Sequence, residues 1–280
     1  FRDKHSVQQI YQILCSFMAD AHFRGGDRAS ISVSSHDSGI QIISHMADQP
    51  FIVDTVLLTL RTLNVNYVAG FNLVMSIGRD NEGNLTSVDD PADPLESMIF
   101  VHADGCKSEA ALKSELDKRL ALAQATVRDF EQMTALVTAT AKRLVNTASD
   151  GPGDGDTFNE AAAFLRWLLA DNFVLMAVVH GDTRMGIARP EMADLNDLQS
   201  LDQWDPSERL VEIRKAPSES QVHRAGRKDE IRIRIPDSDD LKIQGLFTYR
   251  AVTQPSRHVP ILRKDLARIL SEQDCKPRSY

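Results

Sequence analysis

The stretch that most restricts how this chain can fold is Gln41–Arg61, QIISHMADQPFIVDTVLLTLR, where a strand pattern runs straight into a helix pattern. Ile40, Ile42 and His45 are placed broadly on one strand face, while Gln41, Ile43 and Ser44 break strict alternation, as expected inside a sheet. Beyond it Asp48 is positioned to cap a helix, and Pro50 falls in the first turn, where a missing N–H is tolerated. Phe51, Val53, Leu57, Leu58 and Leu60 then make an apolar face broad enough to cover a sheet. The link is only Ala47-Asp48-Gln49-Pro50, so the first amides of the helix point toward whatever lies off the strand end. Asp48, Gln49, Pro50 and Phe51 are therefore the candidate small-ligand residues.

The flanking segments read as packing around this junction. Val7, Ile10, Tyr11, Leu14, Phe17 and Met18 recur at three- and four-residue steps and predict an amphipathic opening helix ending before Gly25-Gly26. Two β-rich runs meet at His36-Asp37-Ser38-Gly39, which predicts a hairpin. Tyr67–Arg79 predicts a strand, with Glu96–Ala103 as its hairpin return. Lys107–Asp150 holds no Gly or Pro and keeps helical spacing throughout. A single helix would be on the order of 60 Å long at 1.5 Å per residue, too long for a small sheet. A break near Asp129 is expected, with Asp129 and Gln132 resembling a capping box.

Ser149–Thr157, SDGPGDGDT, is read as a linker, since its Gly, Pro and Asp content opposes regular structure. Its acidic spacing does not match a calcium loop. The second half predicts a helix over 159–171, strands over 173–179, 185–188, 210–214, 230–235 and 241–252, and a closing helix over 261–270. Helices flanking antiparallel strands describe an α+β domain rather than a doubly wound one.

Charge and composition narrow the function. The net charge is -8, from 32 basic and 40 acidic residues, which opposes a role in wrapping nucleic acid or coating an anionic membrane. The basic run His223, Arg224, Arg227, Lys228, Arg232 and Arg234 ends in alternation with Ile231, Ile233 and Ile235, the pattern of a strand's wet face. Neither a nucleic-acid nor a membrane partner is expected, and no apolar run is long enough to span a bilayer. Three widely spaced cysteines, Cys15, Cys106 and Cys275, read as packing thiols in a reducing cytoplasm. The histidines lack metal-ligand spacing, so no metal is expected and His45 reads as a core histidine. Serine-hydrolase, P-loop and dinucleotide-binding motifs are absent from the sequence. Asp48, Asp54 and Glu96 could do acid–base work, but nothing in the sequence fixes a partner for them. No catalytic residue is assigned.

At this point the residues support a family resemblance. ADQPFIVDTV at Ala47–Val56 resembles the D-x-P-F-L-V-D-S-V signature near the N-terminus of the large NAD-specific glutamate dehydrogenases of bacteria. RDNEGN at 79–84, ES at 96–97, EAAAFLRWLLADNFVLMAV at 160–178, GIARP at 186–190, VHR at 222–224 and GLFTYRAVTQPSRHVPILRKDLARIL at 245–270 follow in the same order. Each motif is weak alone; their order and spacing together are specific.

The resemblance implies a non-catalytic regulatory or oligomerisation region lying before the dehydrogenase domain of an enzyme that deaminates L-glutamate to 2-oxoglutarate and ammonia. NAD would bind in that later domain, and no cofactor is expected in this segment. The implied fold is α+β: an ACT, ferredoxin-like βαββαβ domain followed by a small antiparallel domain similar to PAS domains. The expected boundaries are an N-terminal helix at 1–27, the ACT-like domain with its long helices at 28–148, the linker at 149–157 and the second domain at 158–275. ACT domains often bind amino acids at the turn after the first strand, here Asp48, Gln49 and Pro50, though the glycine common in that turn is missing between Met46 and Phe51. Expected partners are the remaining domains of the parent, further copies of the chain, and an amino-acid effector if the turn binds one. A cytoplasmic location is expected from the cysteine usage. The alternative is a self-standing ACT-type amino-acid sensor or protein-interaction module. The start at Phe1 suggests a piece of a longer chain.

Overall fold

In the computed structural model, residues 6–36, 39–150, 155–195, 199–204 and 209–253 are described, and the expected closing helix at 261–270 lies outside them. They form two compact units: those described within 1–124 together with 221–225, and those described within 125–220 together with 226–253.

The first unit is an antiparallel sheet with helices on both faces. Helix α1 (Val7–Ala21) precedes β1 (Ser30–His36) and β2 (Gly39–Ala47), then come α2 (Ile52–Thr62), β3 (Asn66–Arg79), β4 (Leu85–Val88), β5 (Leu95–Asp104) and α3 (Glu109–Arg128). The sheet order is β1-β2-β5-β3-β4. The β1–β2 hairpin follows the sequence reading, with His36 opposite Gly39. In a βαββαβ unit the edge beside the first core strand is filled by a strand after the second helix. Here β1 takes that place from the other end, so the ACT-type sheet is closed by a strand that comes first. The return from β3 follows the reading, since β5 pairs antiparallel along β3 and inserts between β2 and β3; the short β4 on the other edge of β3 is an addition.

The central strands explain why alternation failed in the sequence. Ile40, Ile42 and Met46 of β2 join Ile99 and Val101 of β5 in a core with Ile52, Val56 and Leu60 of α2 and Leu112, Leu116 and Leu120 of α3. Ile43 faces the other way, with Met98, Phe100 and Ile77 under Ile13, Phe17 and Ala21 of α1. Even and odd residues are thus both buried, each under its own helices. His45 follows Ile43 in parity and lies opposite Ile40 and Ile42, which corrects its placement beside them. Cys106 packs against the α2–α3 core, whereas Cys15 is exposed on α1 rather than a packing thiol.

Helix α2 ends at Leu63, after which Asn64 takes a left-handed φ of 54° and Val65 donates its N–H back to Leu60 O. Asn tolerates that conformation better than most side chains, so the turn read at 64–66 has a local cause.

The second unit carries the rest. Helices α4 (Phe130–Asp150) and α5 (Gly155–Trp167) precede β6 (Phe173–His180), β7 (Thr183–Gly186), α6 (Gln199–Asp202), β8 (Val211–Glu219), β9 (Arg227–Ile233), β10 (Leu241–Phe247) and α7 (Tyr249–Thr253). The sheet order is β7-β6-β10-β9-β8, all antiparallel. One face packs on α4 and α5 through Val178, Ile213, Ile231, Ile233 and Ile243 against Val137, Leu144, Phe164 and Leu165. Residues 149–157 are partly helical, contrary to the linker reading: α4 reaches Asp150 and α5 begins at Gly155, while 151–154 lie outside the described residues.

The break near Asp129 is present, but no capping box forms. The Asp129 carboxylate accepts from Gly186 N–H (2.7 Å), Arg189 Nη2 (2.7 Å) and Arg189 Nε (2.5 Å). Gly186 has φ 65°, and a Cβ there would lie 2.1 Å from Met176 O, so only glycine brings its amide to Asp129. The expected wet face of β9 is corrected at Arg232, whereas Arg234, just past the strand end, is exposed as expected. Arg232 is buried, pairs with Glu212 at 2.5 Å, and lies 5.1 Å from the Trp204 ring; Arg214 stacks on the same ring at 3.8 Å and bonds Glu230 at 2.8 Å. Alternation reports which residues share a face, not whether that face is covered. Trp204, from outside the sheet, covers this one.

Candidate functional site

The β2–α2 junction is built as the sequence suggested, with a different cap. Ala47 pairs with Glu96 on β5, and Asp48 N–H donates to Leu95 O at 2.9 Å, so the strand ends on a fixed base. Asp48 and Pro50 are exposed and Gln49 is half-buried. The N-cap is Phe51, not Asp48; it has φ 75° and ψ 2° and supplies no side-chain cap. A left-handed bulky residue carries strain on the order of 1–2 kcal/mol. The turn therefore takes the conformation glycine would supply, without the glycine. Gln49 Nε2 is buried and has no hydrogen-bond partner among the described residues.

The helix start meets a segment from far along the chain. Within the first unit His223 N–H donates to Thr55 Oγ1 at 3.2 Å, and His223 Nδ1 lies 2.8 Å from Asp54 Oδ2. The His223 and Phe51 rings are 5.0 Å apart and tilted by 52°. Asp54, read as a helix-surface residue, is in the first turn of α2, where a carboxylate complements the helix dipole. His223 was missed as a neighbour because it lies 169 residues from Asp54. The available signal was that VHR at 222–224 belongs to the shared motif series.

Below the turn, Glu96 does find partners, and they make it structural. Its side chain is 1% exposed and accepts from Arg79 Nε (2.7 Å), Arg79 Nη2 (2.9 Å) and Arg24 Nε (2.9 Å). His45 Nε2 lies 3.2 Å from Glu96 Oε2 and 2.8 Å from Arg79 Nη2. Arg79 also donates to Gly83 O and Ala21 O, joining β2, β3, β5 and the end of α1 in one network. Burial opposes ionisation of Glu96, yet the hydrogen bonds from Arg79 and His45 and the charges of Arg24 and Arg79 hold its carboxyl well below the usual range. A carboxylate held so firmly ionised is a poor proton shuttle near neutral pH. His45 is the core histidine that the sequence suggested, 1% exposed.

The arrangement offers a rigid base, a strained turn, an unpartnered buried amide and a helix N-terminus. It can hold a small polar or anionic group, or the chain's own segment.

Residues 4–120 match the family model of the glutamate dehydrogenase ACT1 domain. Over 269 aligned residues the chain is 26% identical to an NAD-specific glutamate dehydrogenase of Halomonas elongata, an alignment covering 83% of this chain and 16% of that protein. The chain thus spans about one sixth of the length of the curated relative it matches.

Proposed function

We propose that this chain, whose residues 4–120 carry the ACT1 domain of glutamate dehydrogenase, is a non-catalytic regulatory and assembly region of an NAD-specific glutamate dehydrogenase. The observation that carries the reading is that domain match, supported by colinear similarity over 83% of the chain to one such enzyme. In this reading the parent oxidatively deaminates L-glutamate to 2-oxoglutarate and ammonia, and NAD is held outside the segment. Removing residues 1–280 from the parent is expected to leave NAD-dependent turnover measurable while abolishing its response to effectors or its native assembly. A truncated enzyme with unchanged assembly and effector response would sink the proposal.

A second, finer reading is favoured by the buried Gln49 amide: an amino-acid effector sits at Asp48–Phe51, its carboxylate near the first amides of α2 and its polar atoms within reach of Gln49. Such a ligand acts only through a difference in affinity between two arrangements of the turn. Calorimetric titration with a panel of amino acids and 2-oxoglutarate checks this. A saturable signal lost in Gln49→Ala supports the site; silence across the panel assigns the turn to architecture, with His223 as its occupant.

A further inference from the structure

A cleft of about 740 Å³ runs along α2 on the sheet face that carries the α2–α3 core. Leu57 and Leu60 of α2 wall it, and Gly70 and Asn72 of β3 with Ile99 and Val101 of β5 floor it. Arg61, Asn64 and Tyr67 stand at the end where α2 stops. Strand β3 is shaped for this cleft. A register shift between Tyr67 and Ala69 adds one residue to the strand, so Tyr67 and Gly70, three apart, share a face. Gly70 leaves that face bare: a Cβ there would lie 2.5 Å from Phe100 O and 3.3 Å from the Tyr67 hydroxyl. Glycine inside a strand is the device that lets a ring or a ligand approach the backbone.

The charge of the cleft is opposite to that of the chain, which carries -8. Among the described residues that line it, Arg61 alone is charged, and no described residue is ion-paired with it. Asp104, which Asn66 Nδ2 bonds at 2.9 Å, is outside the lining. The negative end of α2 is blunted, because the carbonyls of Thr59, Leu60 and Arg61 accept from the N–H groups of Leu63, Val65 and Asn64.

We propose that this cleft binds a small monocarboxylate with an apolar body, an aromatic or short aliphatic acid. Its carboxylate sits on the Arg61 guanidinium, with Asn64 beside it, and its body packs on Leu57, Leu60, Ile99 and Val101. The volume is that of a small-molecule site, apolar walls with a few convergent polar groups, whereas a protein partner settles on a broad surface of about 800 Å². An unpaired guanidinium selects a carboxylate, which it can hold by two parallel bonds. With no acid in the lining, the ammonium of an α-amino acid would go unpaired, so the cleft favours acids that lack one. The site stands at the opposite end of α2 from Asp48–Phe51 and does not depend on any ligand at that turn.

NMR titration of the isotope-labelled chain with octanoate and with phenylacetate tests the site. Saturable shifts are expected at the amides of Asn64, Gly70 and Asn72, with a Kd on the order of 1 mM or tighter. Arg61→Gln is expected to weaken both acids at least tenfold, and Asn72→Phe, which fills the floor, to remove the shifts. Both positions are exposed, so the variants keep the fold, which the spectra themselves verify. Gln49→Ala is expected to leave the shifts unchanged, which separates this site from the turn. Octylamine and phenylalanine are expected to bind at least tenfold more weakly than octanoate and phenylacetate. Silence from both acids overturns the proposal and leaves the cleft to packing against protein. Shifts that survive both cleft variants overturn it too, as does octylamine binding as tightly as octanoate.

Discussion

Two neighbouring parts of the first unit treat polar groups in opposite ways. At the end of β5, Glu96 is 1% exposed and saturated by Arg24, Arg79 and His45. Directly across the sheet, Ala47 opens a turn whose Asp48 and Pro50 are exposed, whose Gln49 amide lacks a partner, and whose Phe51 is left-handed. Saturation makes the first region a rigid anchor, because every displacement breaks a charge-assisted bond. Strain and an unmet hydrogen bond leave the second less tightly held. The difference teaches that a buried carboxylate with several arginines marks scaffold, while the adjoining loop is left strained and under-satisfied.

The comparison breaks most readily at the anchor. Glu96→Ala leaves the mostly buried Arg24 and Arg79 around an empty acceptor and is expected to cost about 3 kcal/mol, read as a shift in the urea midpoint. A loss under about 1 kcal/mol would place Glu96 with ordinary surface pairs. Asp129→Ala, which frees Arg189 and the Gly186 amide in the second unit, is expected to cost about 2–4 kcal/mol by the same measurement.

Acid sharpens the contrast further. Burial raises the Asp129 pKa, but bonds from Arg189 and the Gly186 amide outweigh it, so Asp129, like Glu96, is depressed. A depressed carboxylate contributes stability that is complete above its unfolded value, about 3.9 for Asp and 4.3 for Glu, and is lost as pH falls through the folded value. Unfolding free energy is therefore expected to hold above about pH 5 and fall below about pH 4. Glu96→Gln should flatten that acid limb, and an unchanged slope would show that Glu96 is not what the acid titrates.

Effects at the turn are smaller. Phe51→Asn and Phe51→Val lose the same ring contact with His223, but Asn accepts positive φ and a β-branched residue does not, so Val is expected to be less stable by about 1 kcal/mol. Equal midpoints would remove the argument for strain. Asp54 is 54% exposed, so Asp54→Asn is expected to change stability by less than about 1 kcal/mol, with an effect that fades as salt is added. Its larger consequence should be faster hydrogen exchange of the amides at 222–225, seen by mass spectrometry.

Much of the fold was legible because local pattern carried it. The β1–β2 hairpin, α2 and the break at Asp129 follow from turn residues, apolar spacing and helix length, all of which act over a few residues. The N-cap was not legible: Asp48 has the right chemistry, yet its amide is drawn to Leu95 O and the cap passes to Phe51. The strand order was hidden as well, since nothing in the local sequence of β1 says that it closes the edge beside β2, or in β5 that it inserts between β2 and β3. Buried Arg232 was misread because its cover, Trp204, comes from another element.

By itself the sequence determined the α+β class, the strand–helix junction and a motif series over residues 47–270 that resembles one family, because periodicity and turn chemistry are local. The tertiary structure alone decided that Glu96 is an anchor, that His223 meets Asp54, and that Trp204 covers Arg232. Each depends on groups distant in sequence, whose burial and pairing exist only once the chain has closed around them.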